Sequence, residues 1–319
     1  MKQIKISGTF LDEITYDIPS QNWGQAEWDR DFQAMKTFGI DTVILIRCGL
    51  RQWISYPSAI LREKQRAFEP SLDLVEMFLK LSEKYEFEFY FGIYDSGAYW
   101  VSGDYEKEID INRKVIDEAW HRYGKSPAFK GWYLCHEITR RKGSIIDMFA
   151  SLGKHCKGVS GGLPVLISPA IEGIKAVSQY SSEIEAQTRI SPEEHEKEWG
   201  EIFAGISGAV DIVAFQDGHV DFHELPEFLH INKTLAKKYG LRCWTNSETF
   251  DRDMPIKFLP INWEKLSLKL QASAEAKIDK AITFEFSHFL SPNSCYAQAH
   301  GLFKKYCQHY GIDHTSLSG

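Results

Sequence analysis

Eight short apolar runs alternate along the chain with longer stretches whose apolar residues recur every three or four positions. The short runs are rich in β-branched and aromatic residues and predict strands at Ile4–Leu11, Thr42–Arg47, Phe87–Tyr94, Phe129–Glu137, Pro164–Ser168, Ile212–Gln216, Leu241–Asn246 and Ala281–Ser287. Several are apolar nearly throughout, the pattern of strands covered on both faces. The gaps carry helical stripes: Trp28, Phe32, Met35 and Phe38 before Gly39; Leu72, Val75, Phe78, Leu79 and Leu81; Ile109, Val115, Ile116 and Trp120; Trp199, Ile202, Phe203 and Ile206; Leu229, Leu235 and Ala236; and a last stripe from Ala297 to Tyr310. Ser191-Pro-Glu-Glu opens one helix with an N-cap and a proline at the first helical position, and Tyr239-Gly240 closes another.

Strands alternating with helices require crossover connections and therefore parallel pairing. The expected fold is α/β, a single (β/α)8 TIM barrel over residues 1–319 with long loops at its C-terminal face. A doubly wound open sheet usually carries a glycine-rich first turn, and none follows the first strand. The long loops are those after strand two (Gly49 to Glu69), strand three (Asp95 to Asp104), strand five (Pro169 to Ser191) and strand seven (Thr249 to Asn262). They carry Trp53, Tyr56, Tyr99, Trp100 and Tyr180, aromatic rings suited to stacking on sugars, Trp53 and Trp100 foremost.

Active sites of such barrels lie at the C-terminal strand ends. Glu137 ends the fourth run and Glu248 follows the seventh. Alternation puts Glu137 on one face with Cys135, Tyr133 and Gly131, and Glu248 on one face with Asn246 and Trp244. Two carboxylates facing one cleft can cut a glycosidic bond, one as acid and the other as nucleophile or base. Arg47, Asp95, Gln216 and Asp217 end other strands, and Arg47 is placed to hold a carboxylate ionised. Glu285 and Ser287 share a face of the eighth run, with His288 behind; a glutamate there needs either the mouth or a buried partner such as an arginine. The candidate substrate-binding set is Arg47, Trp53, Asp95, Trp100, Tyr133, His136, Gln216, Trp244, Asn246, Glu285 and His288.

The formal charge of −7 and the absence of a Lys/Arg-rich block exclude a nucleic-acid footprint. No run approaches the length of a membrane span. The six cysteines form no C-x-x-C pair and predict reduced, mostly buried thiols. The N-terminus runs straight into a strand pattern, so the expected location is cytoplasmic, although a chain trimmed of an export signal would read the same. Gly158-Val-Ser-Gly-Gly162 follows a helix rather than a strand and is no nucleophile elbow. Gly124-Lys125-Ser126 lacks the leading glycine of a phosphate loop, and neither His136-Glu137 nor His223-Glu224 has the second histidine of a zincin.

Gly131-Trp-Tyr-Leu-Cys-His-Glu137, Trp244-Thr-Asn-Ser-Glu248 and Phe284-Glu-Phe-Ser-His-Phe-Leu-Ser-Pro292 resemble a bacterial family of uncharacterised TIM-barrel, glycoside-hydrolase-like domains. Glutamates at the ends of strands four and seven, with an arginine ending strand two, also resemble the clan A retaining glycoside hydrolases. The resemblance implies Glu137 as acid/base and Glu248 as nucleophile, acting on a carbohydrate without a cofactor or metal. Two positions depart from the clan's pattern. His136 stands where the clan has asparagine, and Phe286 and His288 stand where it often has a tryptophan platform. The mechanism expected is hydrolysis with retention, Glu248 being kept ionised by Arg47 or Asn246. Two other classes fit the same residues less fully: a metal-dependent sugar isomerase or lyase using Asp217, His219 and Glu285, and a carbohydrate-binding barrel without chemistry.

Overall fold

The computed structural model describes residues 3–16, 18–173, 190–252 and 258–317. Tyr180 and most of the loop after strand five lie outside the described residues. Eight parallel strands close into a barrel: β1 (Ile6–Leu11), β2 (Thr42–Leu45), β3 (Glu88–Gly92), β4 (Phe129–Leu134), β5 (Val165–Ile167), β6 (Ile212–Gln216), β7 (Arg242–Asn246) and β8 (Lys280–Thr283). Each pairs with its sequence neighbours, and β1 pairs with β8 through Ile6↔Ala281 and Thr9↔Thr283. All eight expected strands are present.

Helices follow the strands in turn: α1 (Gln25–Phe38), α2 (Leu74–Tyr85), α3 (Tyr105–Tyr123), α4 (Ile145–Ser160), α5 (Pro192–Ile206), α6 (Leu225–Tyr239), α7 (Trp263–Glu275) and α8 (Ala297–Tyr310). Their apolar stripes pack on the outer barrel face in one continuous core. α5 opens as expected, with Ser191 accepting from the Glu194 amide in a capping box and Pro192 in the first turn. The α2 stripe starts later than expected. Asp73 accepts from the Glu76 amide and caps the helix, which leaves Leu72 outside it and 41% exposed. The Gly158–Gly162 segment lies at the end of α4, as a helix terminus and turn.

Bulky rings fill the barrel interior. Tyr90 crosses toward β4, and a Cβ at position 131 would lie 2.3 Å from its ring, so glycine is required there. Trp244 meets Tyr90 at 6.2 Å, with the cations of Lys280 and Arg242 near its faces. All six cysteines are free, five of them buried. Among the described residues no helix is long and apolar enough to cross a membrane.

The strands end earlier than the sequence pattern suggests. β4 stops three residues before Glu137, and β8 stops before Glu285, which instead caps a short helical turn, Phe286–Phe289. The loop after β2 is an ordered arm. Gly49–Leu50 pairs with Trp53–Ile54 on one side and with Tyr94–Asp95 on the other. Glu118 of α3 accepts from Tyr56, Ser58 and the Ala59 and Ile60 amides and so anchors the arm to the barrel.

One buried carboxyl opposes the rest of this core. Asp31 on α1 has no solvent exposure and accepts from Ser291 Oγ and from Asn293 Nδ2 at 3.1 Å. Burial is the largest influence and raises its pKa from 3.8 to about 6. The folded value lies above the unfolded one, so the contribution to stability is full below pH 3.8 and is lost as pH rises through about 6. Asp31→Asn keeps an acceptor for both partners and removes the buried charge. It is expected to stabilise the protein at pH 8 by up to about 3 kcal/mol, with the gain vanishing near pH 4. Urea midpoints at the two pH values check this, and an equal gain at both would refute it.

Candidate active site

The C-terminal ends of β1 to β8 form a polar mouth over an apolar floor. Phe10 of β1 and Tyr133 of β4 lie edge to face at 5.2 Å, with Phe284 beside Phe10 at 6.0 Å. Tyr133 is fully buried, and its hydroxyl has no hydrogen-bond partner among the described residues. Burial raises its pKa well above the ordinary phenol value, and the nearby charge of Glu137 raises it further.

Glu137 rises just past β4. Solvent reaches its side chain, and no hydrogen bond holds its carboxyl among the described residues. Protein surrounds the group closely enough that desolvation dominates and raises its pKa. Arg47 and Arg252 pull the value down, while Asp95 and Glu248 push it up. The result is a carboxyl biased toward its protonated form.

Glu248 has the opposite surroundings. It is 2% exposed and lies in a bidentate pair with Arg252, Nε to Oε2 and Nη2 to Oε1, both 2.8 Å. Burial pushes its carboxyl up, but the charge and hydrogen bonds of Arg252, with Lys269 and His219, outweigh burial and leave the pKa below its ordinary value. The backbone beneath is fixed as well. The Glu248 amide donates to Asp217 Oδ1 at 3.1 Å, and Lys269 of α7 donates to the same oxygen at 2.7 Å and to the Glu248 carbonyl at 3.2 Å. Gly218 lets the β6 loop close over this carboxylate. A Cβ there would sit 1.8 Å from Glu248 Oε2 and 2.4 Å from Arg252 Nε. His219 lies beside the pair; burial first, then the charge of Arg252, lowers its pKa.

The arginine assigned to Glu248 from sequence is therefore corrected. Arg47 pairs with Asp95 at 3.3 Å and faces Glu137, whereas Arg252 holds Glu248. Arg252 lies four residues beyond Glu248 in a loop, and nothing in the local pattern marks the turn that folds it back. Asn246 donates to Ser168 Oγ at 3.2 Å and Gln216 to the Ser168 carbonyl at 2.8 Å, forming the polar layer below the carboxylates. Asp95 also accepts from Trp100 Nε1 at 2.8 Å, which fixes that half-buried ring. Trp53 is 60% exposed on the arm, with Phe68 at 5.0 Å.

Four expected site residues are not presented to the mouth. His136 points outward, where Glu108 of α3 lies 2.9 Å from its Nε2 and the Trp100 ring packs edge-on. Trp244 has the right parity but the wrong depth: four residues below Glu248, it lies about 13 Å down the strand and fills the core. Glu285 and His288 have no solvent exposure and satisfy each other. Glu285 accepts the Ser287 and His288 amides, and His288 lies between Glu285 and the Pro19 carbonyl. Burial lowers the His288 pKa, but Glu285 outweighs this and lifts it to about 9, so the pair is an ion pair. The buried partner of the strand-eight glutamate is a histidine three residues on, not an arginine.

The set Asp217, His219 and Glu285 is not gathered as ligands. Asp217 is committed to Lys269, and Glu285 to His288. Among the described residues the one group with ligand-like spacing is Asp95, Glu108 and His136. Its oxygens are already engaged by Ser96, Asn112, Trp100 and Gly97, and Arg47 stands beside Asp95. These contacts make it a support for the β4 end rather than a cation cradle.

A closed eight-stranded parallel barrel with polar side chains gathered at the C-terminal strand ends is the TIM-barrel architecture. The chain belongs to the family described as a domain of unknown function, DUF4434, which matches residues 6–296. A Bacteroides thetaiotaomicron VPI-5482 protein provisionally named an alpha-L-fucosidase is 55% identical over 98% of this chain and 96% of its own, with a TM-score of 0.93. The Thermotoga petrophila RKU-1 endo-1,4-beta-D-mannanase shares the fold at 12% identity, covering 96% of this chain and all of its own, with a TM-score of 0.57. The Dictyoglomus thermophilum beta-D-glucuronidase does so at 13% identity, with a TM-score of 0.56, over 96% of this chain and 50% of its own. No match was found among curated proteins.

Proposed function

We propose that this barrel hydrolyses a glycosidic bond with retention, Glu137 serving as acid/base and Glu248 as nucleophile. The observation that carries this reading is the unequal treatment of two carboxylates in one mouth. Glu248 is clamped by Arg252 and kept ionised, while Glu137 is unbonded and biased toward protonation. An ionised carboxylate can attack the anomeric carbon, and a protonated one can deliver its proton to the departing oxygen. Once the aglycone has left, Glu137 is a carboxylate and can take a proton from water that resolves the glycosyl-enzyme. Arg252 must loosen one of its two hydrogen bonds to expose the attacking oxygen, which the exposed edge of its side chain permits.

The B. thetaiotaomicron relative makes L-fucosides the first substrates to assay. A 2-deoxy-2-fluoro glycoside of an accepted sugar tests the mechanism directly. It should accumulate as a covalent adduct that peptide mapping places on Glu248, and turnover without such an adduct, giving inverted product, would refute retention. The pH profile is a second expected result. Activity should fall on the acid side as Glu248 is protonated, below the usual glutamate range, and on the alkaline side as Glu137 loses its proton, above that range. A leaving group that needs no proton should remove the alkaline limb alone.

A further inference from the structure

The arm after β2 stands across the barrel from Glu248. The closed order of the strands puts β3 directly opposite β7, with β4 and Glu137 beside it. Tyr94–Asp95 continues the line of β3 and forms one strand of the arm's sheet, with Gly49–Leu50 next to it and Trp53–Ile54 outermost. Register fixes which way the outer strand faces. A Cβ on Gly49 would lie 2.9 Å from Tyr94 Cδ2, 3.0 Å from Ile54 Cγ2 and 3.3 Å from Leu61 Cδ1, so Gly49, Tyr94 and Ile54 share the face packed on Leu61. Alternation leaves Asp95, Leu50 and Trp53 together on the other face. That is the face on which Asp95 meets Arg47 and Trp100. Trp53 stands two strands from Asp95, about 10 Å across the sheet. Its ring is 60% exposed and is propped by the Phe68 ring, itself 49% exposed. The Phe68 amide donates to the Gln52 carbonyl at 2.8 Å, which holds the two rings together.

Size decides what covers these rings. Together they offer at most about 300–500 Å², short of the ~800 Å² that each side of a stable protein interface buries. Exposed Arg51, Gln52 and Glu69 adjoin them in sequence. A flat apolar ring bordered by hydrogen-bonding groups suits the apolar face and edge hydroxyls of one sugar. The direction of the reaction decides which sugar. A carboxylate attacking from the β7 side drives the leaving oxygen out on the opposite side of the anomeric carbon, towards Glu137 on β4 and the arm on β3. We propose that Trp53 stacks on a sugar ring on the reducing-end side of the scissile bond, so that the substrate is an oligosaccharide rather than a simple glycoside. This rests on the hydrolase reading of the mouth and gives the arm the role of a leaving-group subsite.

Binding to the wild-type protein tests this without requiring turnover. The probes are 2′-fucosyllactose, mannotriose, xylotriose and cellotriose, each beside its non-reducing monosaccharide, read by saturation-transfer NMR titration. At least one oligosaccharide should saturate, at least about tenfold more tightly than its monosaccharide. Trp53→Ala alters an exposed side chain and should keep the thermal midpoint. It should weaken the oligosaccharide by about tenfold and so close the gap to the monosaccharide. Saturation transfer should fall most on a ring at the reducing-end side, and Trp53→Phe should restore much of the gap. The closed gap is the readout that a purely structural Trp53 would not move. The inference is overturned if no oligosaccharide binds more tightly than its monosaccharide, if Trp53→Ala weakens both alike, or if the transfer lost belongs to the non-reducing ring. It is overturned as well if Trp53→Ala changes only the sedimentation coefficient, which would make the rings a contact between copies of this chain. Trp53-dependent binding of the reducing-end ring without hydrolysis of any glycoside would uphold the subsite and sink the hydrolase reading alone.

Discussion

Glu248→Ala should abolish turnover on every glycoside, while Glu137→Ala should retain glycosylation of substrates with very good leaving groups. The difference follows from what each residue supplies. Without Glu248 no carboxylate stands behind the anomeric carbon, and Arg252 is left without its bidentate partner. Without Glu137 the first step loses only proton donation, worth about 10²–10⁴-fold, and a leaving group of low pKa does not need it. The second step then lacks its base, and azide, which needs none, should speed it. Rescue of Glu137→Ala by azide, with retained configuration in the product, is the expected signature. Azide rescue of Glu248→Ala with retention, or near-wild-type rates in both variants, would reverse or remove the assigned roles.

The second large effect is expected from a residue that carries no chemistry. Gly218→Ala adds one methyl group, and its carbon would lie 1.8 Å from Glu248 Oε2 and 2.4 Å from Arg252 Nε. The adjacent β6 end is held by its ladder and by Asp217 on Lys269, so the carboxylate and guanidinium must give way. A displacement of the attacking oxygen near 1 Å costs about 10²-fold in rate. The loss should fall on kcat more than on KM, because the rest of the mouth is untouched. Thermal stability should fall as well, because a bidentate pair on a buried carboxylate is disturbed, so rates are compared well below the unfolding midpoint. A Gly218→Ala enzyme with wild-type kcat would show that Glu248 does not need its present position, and with it that Glu248 is not the nucleophile.

Much of this protein is determined by local pattern. Alternating short apolar runs and helical stripes determine the order of strands and helices, and crossover chirality then leaves a parallel barrel as the economical closure. Glu137 and Glu248 were legible because each follows a barrel strand, and strand ends converge in this fold whatever the loops do. The same logic reached Arg47 and Asp95.

What tertiary structure alone decided is depth, facing and partnership. Trp244 shares a face with Glu248, yet parity has no depth coordinate, and four residues of strand rise carry it from the mouth into the core. His136 adjoins Glu137 in sequence, but alternation turns it toward α3, where Glu108 claims it. Glu285 and His288 looked like mouth residues while β8 was read as running on through Ser287; the strand stops at Thr283, and the helical turn that follows folds histidine onto glutamate in a sealed pair. The choice between two arginines for Glu248 depended on a loop folding back over Gly218 and on a lysine arriving from α7. Local sequence encodes which residues are apolar and at what period. It does not encode which charge a loop returns to, because that is determined by the summed packing of elements distant along the chain.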